Sequence, residues 1–265
     1  MQNRQKTVRN DIWISLSNLM LSKNDIKIIK SLQNKKYRKT YGLFTVEGEK
    51  NVVELIEAGW GIQRLIISER FALKYRSLVA SVKQPVDIVS ENQLGELGHL
   101  ESNQAALAVV PMLDLTKEQP HLDQSMLVLC NVQDPGNLGT IMRTADWFGI
   151  TQIVCSPATV EWFNPKVIQA TMGAFIRVKV FYKELEPFLQ TIRQPIIAAD
   201  LQGSTIYDHH FTDPSVILMG SESHGIPEEL SSYITDRLTI PSFGKTESLN
   251  VAIATGIFCY ALRKK

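Results

Sequence analysis

Asn131-Val-Gln-Asp-Pro-Gly-Asn-Leu-Gly-Thr-Ile-Met-Arg143-Thr-Ala145 is the stretch on which the reading of this chain turns. Two later segments share its character: Leu218-Met-Gly-Ser-Glu-Ser-His-Gly-Ile-Pro227 and Ile240-Pro-Ser-Phe-Gly-Lys-Thr-Glu-Ser-Leu-Asn-Val251. Each begins where an apolar run ends. In an open α/β sheet, ligands sit at the carboxyl ends of the strands, where loops and helix N-termini expose backbone N–H groups. Three such loops with small residues and a few polar side chains fit a single site.

The residues of each segment carry local expectations. Pro135 and Gly136 make a sharp turn, and Asn137 is placed to cap a helix running to Phe148. Arg143 lies about one and two-thirds turns further along that helix and faces the same cleft loosely. Gly220 ends a strand where a side chain would block the approach of a ligand. Glu222 sits in the following turn, and Gly225 and Pro227 shape what comes next. His224 has no partner in sequence and reads as a loop histidine. Glu247-Ser248-Leu249-Asn250 opens the last helix, with Ser248 as the simplest cap.

Strand candidates around these segments are Met126–Cys130, Gln152–Cys155, Ile176–Phe181, Ile196–Ala199, Val216–Met219 and Arg237–Ile240. Helices are expected at about 137–148, 165–174, 183–192 and 247–263. Near-continuous apolar strands favour a parallel sheet covered on both faces. Pro111–Gln124 has little apolar periodicity and reads as a linker. Before it, strands at Leu43–Val46, Arg64–Ser68, Val86–Val89 and Ala105–Val110 alternate with helices at Lys23–Gln33, Asn51–Ala58, Arg70–Ala80 and Glu91–Leu97. That alternation predicts a second, smaller α/β sandwich. The expected division is 1–19 as a disordered extension, 20–112 as one domain, 113–124 as linker and 125–265 as the other.

With 265 residues, 44% apolar and 21% charged, the chain has the composition of an ordinary globular protein of one large or two ordinary domains. Net charge is only +1, yet residues 1–40 hold ten Lys and Arg against two Asp. A cluster of that kind suits a polyphosphate partner or a solvated helix face. No run is long enough to span a bilayer. Arg4, Lys6 and Arg9 before Ile12–Leu21 have the flavour of a targeting peptide, but Ser15, Ser17 and Asn18 interrupt the apolar stretch and no cleavage site follows. Cys130, Cys155 and Cys259 are far apart and show no disulfide or zinc spacing. A reducing compartment, the cytoplasm, and a buried packing role follow as expectations. The scattered His residues imply no metal.

In this order and spacing, the three segments resemble the motifs of the SpoU-type (TrmH-like) RNA 2′-O-ribose methyltransferases of the SPOUT superfamily. The resemblance covers about 125–263. It implies a parallel sheet with a C-terminal trefoil knot, a homodimer, and S-adenosylmethionine (AdoMet) as methyl donor to a ribose 2′-hydroxyl of RNA, ribosomal RNA ahead of transfer RNA. It implies catalytic roles for Asn137, Arg143, Glu222, Ser248 and Asn250. Met219, Gly220, Ile240, Ser248 and Leu249 are implied at the cofactor. Gly42-Leu-Phe-Thr-Val-Glu-Gly48 resembles the small ribosomal-protein-like RNA-binding domain that such enzymes carry. Where that domain usually closes with Gln-Gly, this chain has Gln104-Ala105. Lys35, Lys36, Arg38 and Lys39 beside Tyr37 and Tyr41 offer RNA contacts, with Arg143 as a further one. The other readings are a module of the same fold that binds RNA without catalysis, and a dinucleotide-dependent oxidoreductase. Intact Asn137, Arg143, Glu222, Ser248 and Asn250 argue against the first. No Gly-x-Gly-x-x-Gly follows a strand, which argues against the second.

Overall fold

The computed structural model describes residues 21–100, 102–115, 118–221 and 225–264. The extension expected at 1–19, and Glu222 with its neighbours Ser223 and His224, lie outside the described residues. Two compact units emerge. The first runs to Leu113 and takes in Phe163–Pro165; the second holds Asp114–Trp162 and Lys166 onward.

In the first unit, α1 (Lys23–Ser31) starts at a capping box. Ser22 accepts from the Asp25 N–H while the Asp25 carboxylate takes the Ser22 N–H. The basic segment that follows is itself a helix, α2 (Lys35–Tyr41), capped by Asn34 and stopped by Gly42 at φ 63°. Next come β1 (Leu43–Glu47), α3 (Glu49–Glu57), β2 (Arg64–Ser68), α4 (Glu69–Lys74), α5 (Arg76–Ser81), β3 (Val86–Val89), α6 (Glu91–Leu97) and β4 (Ala106–Pro111). The single helix expected at Arg70–Ala80 is two. Tyr75 breaks it at φ −113°, and its hydroxyl donates to Glu49 at 2.7 Å. The sheet order is β1-β4-β2-β3, antiparallel except for β2/β3. Ile29 and Leu32 pack with Ile66, Leu94 and Leu107 in its core. The turn with Ala105 in place of Gly is closed by the buried Asn103, whose Oδ1 accepts from Ala105 and Ala106 and whose Nδ2 donates to the Ala106 carbonyl.

The second unit comprises β5 (Met126–Leu129), α7 (Pro135–Trp147), β6 (Gln152–Cys155), α8 (Pro165–Thr171), β7 (Lys179–Tyr182), α9 (Leu185–Leu189), β8 (Ile196–Thr205), β9 (Val216–Met219), β10 (Asp236–Thr239) and α10 (Val251–Arg263). The six strands form one wholly parallel sheet in the order β10-β8-β9-β5-β6-β7. The central strands are buried on both faces, as their apolar runs require. Several boundaries differ from expectation. β7 begins at Lys179 because Gly173, at φ 95°, starts a 3-10 turn over Ala174–Ile176. β8 continues to Thr205, and α10 starts only at Val251. Cys130, Cys155 and Cys259 are free thiols in the interior, where burial pushes Cys130 and Cys259 up to about 12 and raises Cys155 as well. None is poised as a nucleophile at neutral pH.

Candidate active site

A cavity of about 500 Å³ opens at the carboxyl ends of β8, β9 and β10. Its wall contains Met219, Gly220, Ile240, Ser248 and Leu249, all five residues expected at the cofactor. They come from loops separated in sequence and joined only because β9 and β10 lie in one sheet, with β8 between them. Gly220 is required here, but for a reason other than the one expected. A Cβ on it would sit 2.3 Å from the Gly225 carbonyl carbon and 2.6 Å from the Ile226 nitrogen. The loop doubles back on itself: the Gly225 N–H donates to the Ser221 carbonyl at 2.9 Å, with Gly225 at φ 65°. The bare Cα serves the loop's own backbone, and through it the shape of the wall.

The opposite wall was not visible in the motifs. Along β8, Ala198 pairs with Arg237, yet the next pairing is Ser204 with Leu238. Residues 199–203 therefore arch out of the ladder, and Ala199, Asp200, Leu201 and Gln202 face the cavity. Gly203 brings the chain back, so close that a Cβ would meet the Arg237 carbonyl at 2.5 Å. Asp200 fastens the arch. Its carboxylate accepts from the Gln202 N–H at 2.9 Å and from the Arg237 guanidinium at 2.5 Å, and Arg237 also donates to Ser231 Oγ at 2.7 Å. The Gln202 N–H first, then Arg237, hold the Asp200 carboxyl below its usual value against the opposing effect of burial. An Asp-Leu-Gln-Gly run directly after an apolar strand is the signal that would have marked this arch. Glu228 also lines the cavity.

The first motif meets the third beside this cavity. Asn250 Nδ2 donates to Asn137 Oδ1 at 2.9 Å. Neither expected cap holds. Asp134 caps α7 by accepting from the Asn137 N–H at 2.8 Å, because Pro135 takes the first helical position and the cap falls three residues upstream of Asn137. Asn250, not Ser248, caps α10, its Oδ1 accepting from Ala252 and Ile253. That leaves Ser248 free to face the cavity. Arg143 is exposed and makes no hydrogen bond or ion pair among the described residues. It does not line the cavity. It shares the outward face of α7 with Thr140 and Trp147, and Trp147 is 84% exposed. Helix α10 packs beside α7 and presents Ile253 and Tyr260 outward, a second apolar stripe.

In the first unit, Lys35, Lys36 and Lys39 are exposed on α2, with the rings of Tyr37 and Tyr41 stacked 6.4 Å apart. Arg38 corrects the expectation. It is only 2% exposed, and its guanidinium donates to the Leu32 and Gln33 carbonyls at 2.8 Å each. One turn of α2 aims this side chain inward, where its fork satisfies the carbonyls left open at the end of α1. It is a structural arginine.

The cavity suits AdoMet. Its volume falls in the range of small-molecule sites, about 300–1,000 Å³. It mixes backbone edges and apolar side chains with the carboxylates of Asp200 and Glu228, of which Asp200 is matched by Arg237. Glu228, with no ion pair among the described residues, complements a cofactor that carries a sulfonium.

A parallel α/β sheet with a cavity at its strand ends, walled by three polar loops, defines a small-molecule-binding α/β domain joined to a second, smaller unit. The chain belongs to the SpoU rRNA methylase family, which matches residues 124–260. Residues 23–108 match the MRM3-like substrate binding domain. The chain is 27% identical to the 23S rRNA (guanosine(2553)-2′-O)-methyltransferase RlmP of Bacillus subtilis, over 90% of this chain and 95% of that protein. Among solved structures, a TrmH-family protein from Porphyromonas gingivalis is 35% identical with a TM-score of 0.79, over 92% of this chain and 99% of that one. The AdoMet-bound rRNA methyltransferase of Sinorhizobium meliloti is 29% identical with a TM-score of 0.81, over 92% and 96%.

Proposed function

We propose that this protein methylates a ribose 2′-hydroxyl of ribosomal RNA with AdoMet as donor. The observation that carries the reading is the single cavity that gathers Met219, Gly220, Ile240, Ser248 and Leu249, with Asn137 and Asn250 in contact beside it. AdoMet supplies, when bound, a methyl group made electrophilic by its sulfonium. The loops at Gly220, Ile240 and Leu249 bind and orient it through backbone groups. Arg143 holds the ribose phosphate and stabilises the negative charge that grows on the 2′-oxygen. A guanidinium offers N–H donors and no acceptor lone pair, so it orients the ribose and stabilises charge while the 2′-proton leaves to solvent. Asn137 and Asn250, fixed by their mutual hydrogen bond, set the entry to α7 and thereby the direction of Arg143. Ser248 adds a hydroxyl to the cavity wall, and Glu222 keeps in this reading the catalytic role that the family resemblance implies.

Lys35, Lys36 and Lys39 supply affinity for the RNA backbone, and Arg38 is removed from that set. A homodimer is part of the reading, because Trp147 on α7 and Ile253 and Tyr260 on the neighbouring α10 leave large apolar side chains exposed. The trefoil knot and a cytoplasmic location belong to it as well.

The test is methyl transfer from labelled AdoMet to ribosomal RNA, with the product nucleotide located by mass spectrometry, beside calorimetric AdoMet binding. A 2′-O-methylated ribose in rRNA is the expected product. AdoMet binding without transfer to any rRNA or tRNA would overturn the assigned substrate. Absence of AdoMet binding would favour the RNA-binding module without catalysis.

A further inference from the structure

Phe243 is 90% exposed, and no ring packs against it among the described residues. A single exposed aromatic is ordinary on a protein surface; its location makes this one informative. It stands at the tip of the loop between Ile240 and Ser248, and both of those residues line the cavity. Three residues of chain place its Cα within about 11 Å of Ile240. Gly244 and Lys245 follow it, both exposed. On the other wall, Leu201 at the crest of the β8 arch faces the cavity and is 70% exposed. The rim therefore offers an aromatic face, a cation and an apolar edge at the mouth of the pocket.

We propose that Phe243 is a positioning residue that stacks on the base of the target nucleotide, with Lys245 against an adjacent phosphate. The inference rests on the methyltransferase reading and specifies its substrate as an unpaired nucleotide. A 2′-hydroxyl can reach a concave pocket only when its ribose leaves the regular helix, which frees the base to be caught by an aromatic ring. A loop Phe that is 90% exposed has most of its ring face available for that purpose. Lys245 supplies the charge that a ribose-phosphate chain requires. A protein partner would be met by a broader apolar patch, whereas the neighbours of Phe243 are Ser242, Gly244 and Lys245.

The experiment compares wild type with Phe243→Ala, Phe243→Leu and Phe243→Trp. We expect Ala and Leu to lower kcat/KM for RNA by about five- to tenfold, the scale of one lost base stack at an exposed site, with Trp within about twofold of wild type. AdoMet affinity, by calorimetry, should be unchanged in all three, which separates this role from damage to the cofactor pocket. Wild-type kcat/KM in Phe243→Ala overturns the proposal. So does a Leu variant as active as Trp, since an apolar contact would then suffice. Loss of activity together with dissociation of the oligomer, seen by sedimentation, would assign Phe243 to a second copy of the chain. Absence of methylation by wild type would sink the enzymatic reading instead, and RNA retention by the same variants would still decide the role of Phe243.

Discussion

The two units present surfaces of opposite physical kinds. In the first, Lys35, Lys36 and Lys39 stand exposed on one helix, long cations with no fixed geometry of the kind that suits phosphates. In the second, the work falls on a concave wall made largely of backbone, with one ion pair, Asp200–Arg237, holding its shape. Charge without geometry provides affinity and sensitivity to salt. Geometry with little charge provides selectivity for one ligand. Arg38 and Arg143 show the difference within one residue type: the first is consumed by backbone carbonyls, the second is left exposed on the outward face of α7.

The contrast can be broken most severely at Gly220. Gly220→Val places carbon atoms inside the Gly225–Ile226 backbone, so the loop must move, at about 1–3 kcal/mol of stability. AdoMet binding should be lost in calorimetry while circular dichroism still shows a folded protein with a lowered Tm. Unchanged AdoMet affinity would remove this loop from the cofactor wall.

Arg143→Ala comes next. Ala is an excellent helix former, so α7 should survive. Single-turnover methylation should fall by about a hundred- to a thousandfold with AdoMet affinity intact, the size of loss seen when a charge-stabilising donor is removed. Near-normal turnover would take Arg143 out of the mechanism; lost AdoMet binding would move it to the cofactor site.

For the lysine-bearing helix, reversing Lys35, Lys36 and Lys39 to Glu should weaken RNA binding by about tenfold or more at moderate salt and flatten its salt dependence. AdoMet affinity should not respond. An unaltered salt slope would show that RNA is held elsewhere.

The smallest effect is expected at the arch. Asp200→Asn keeps the Gln202 hydrogen bond and removes the charge opposite Arg237, so AdoMet affinity should fall by about fivefold, the value of a partly exposed charged hydrogen bond. Because the folded-state pKa of Asp200 is depressed, its contribution is fully present above the unfolded value near 3.8 and is lost as pH falls through the lower folded value. Neutral-pH binding by wild type should therefore be flat with pH. A variant that binds AdoMet as wild type does would make the ion pair irrelevant to the wall.

Much of the second unit was legible because its strands are apolar runs of four residues closed by turn residues. Gln152–Cys155 and Val216–Met219 are found as expected. That Met219, Gly220, Ile240, Ser248 and Leu249 share one cavity was legible through the order of the motifs. The arch at 199–203 was not, since Asp200-Leu-Gln-Gly203 after an apolar run reads equally well as the end of the strand, and only the pairing of Ser204 with Leu238 shows that β8 resumes. The caps were misplaced by three and two residues because Asp134, Asn137, Ser248 and Asn250 are all competent cap residues, and only the observed helix starts choose among them.

Sequence by itself determined the two α/β units, the parallel sheet, the family and the loops that make the site, because apolar period, turn chemistry and motif order are local properties of the chain. Tertiary structure alone decided which Arg is buried and which is exposed, why Gly220 must be glycine, and that Asp200 and Arg237 build a wall of the cavity. Those outcomes depend on which atoms meet across segments tens of residues apart. Arg38 lies in a run of cations whose composition is uniform, and only the packing of α2 against the end of α1 turns that one side chain inward.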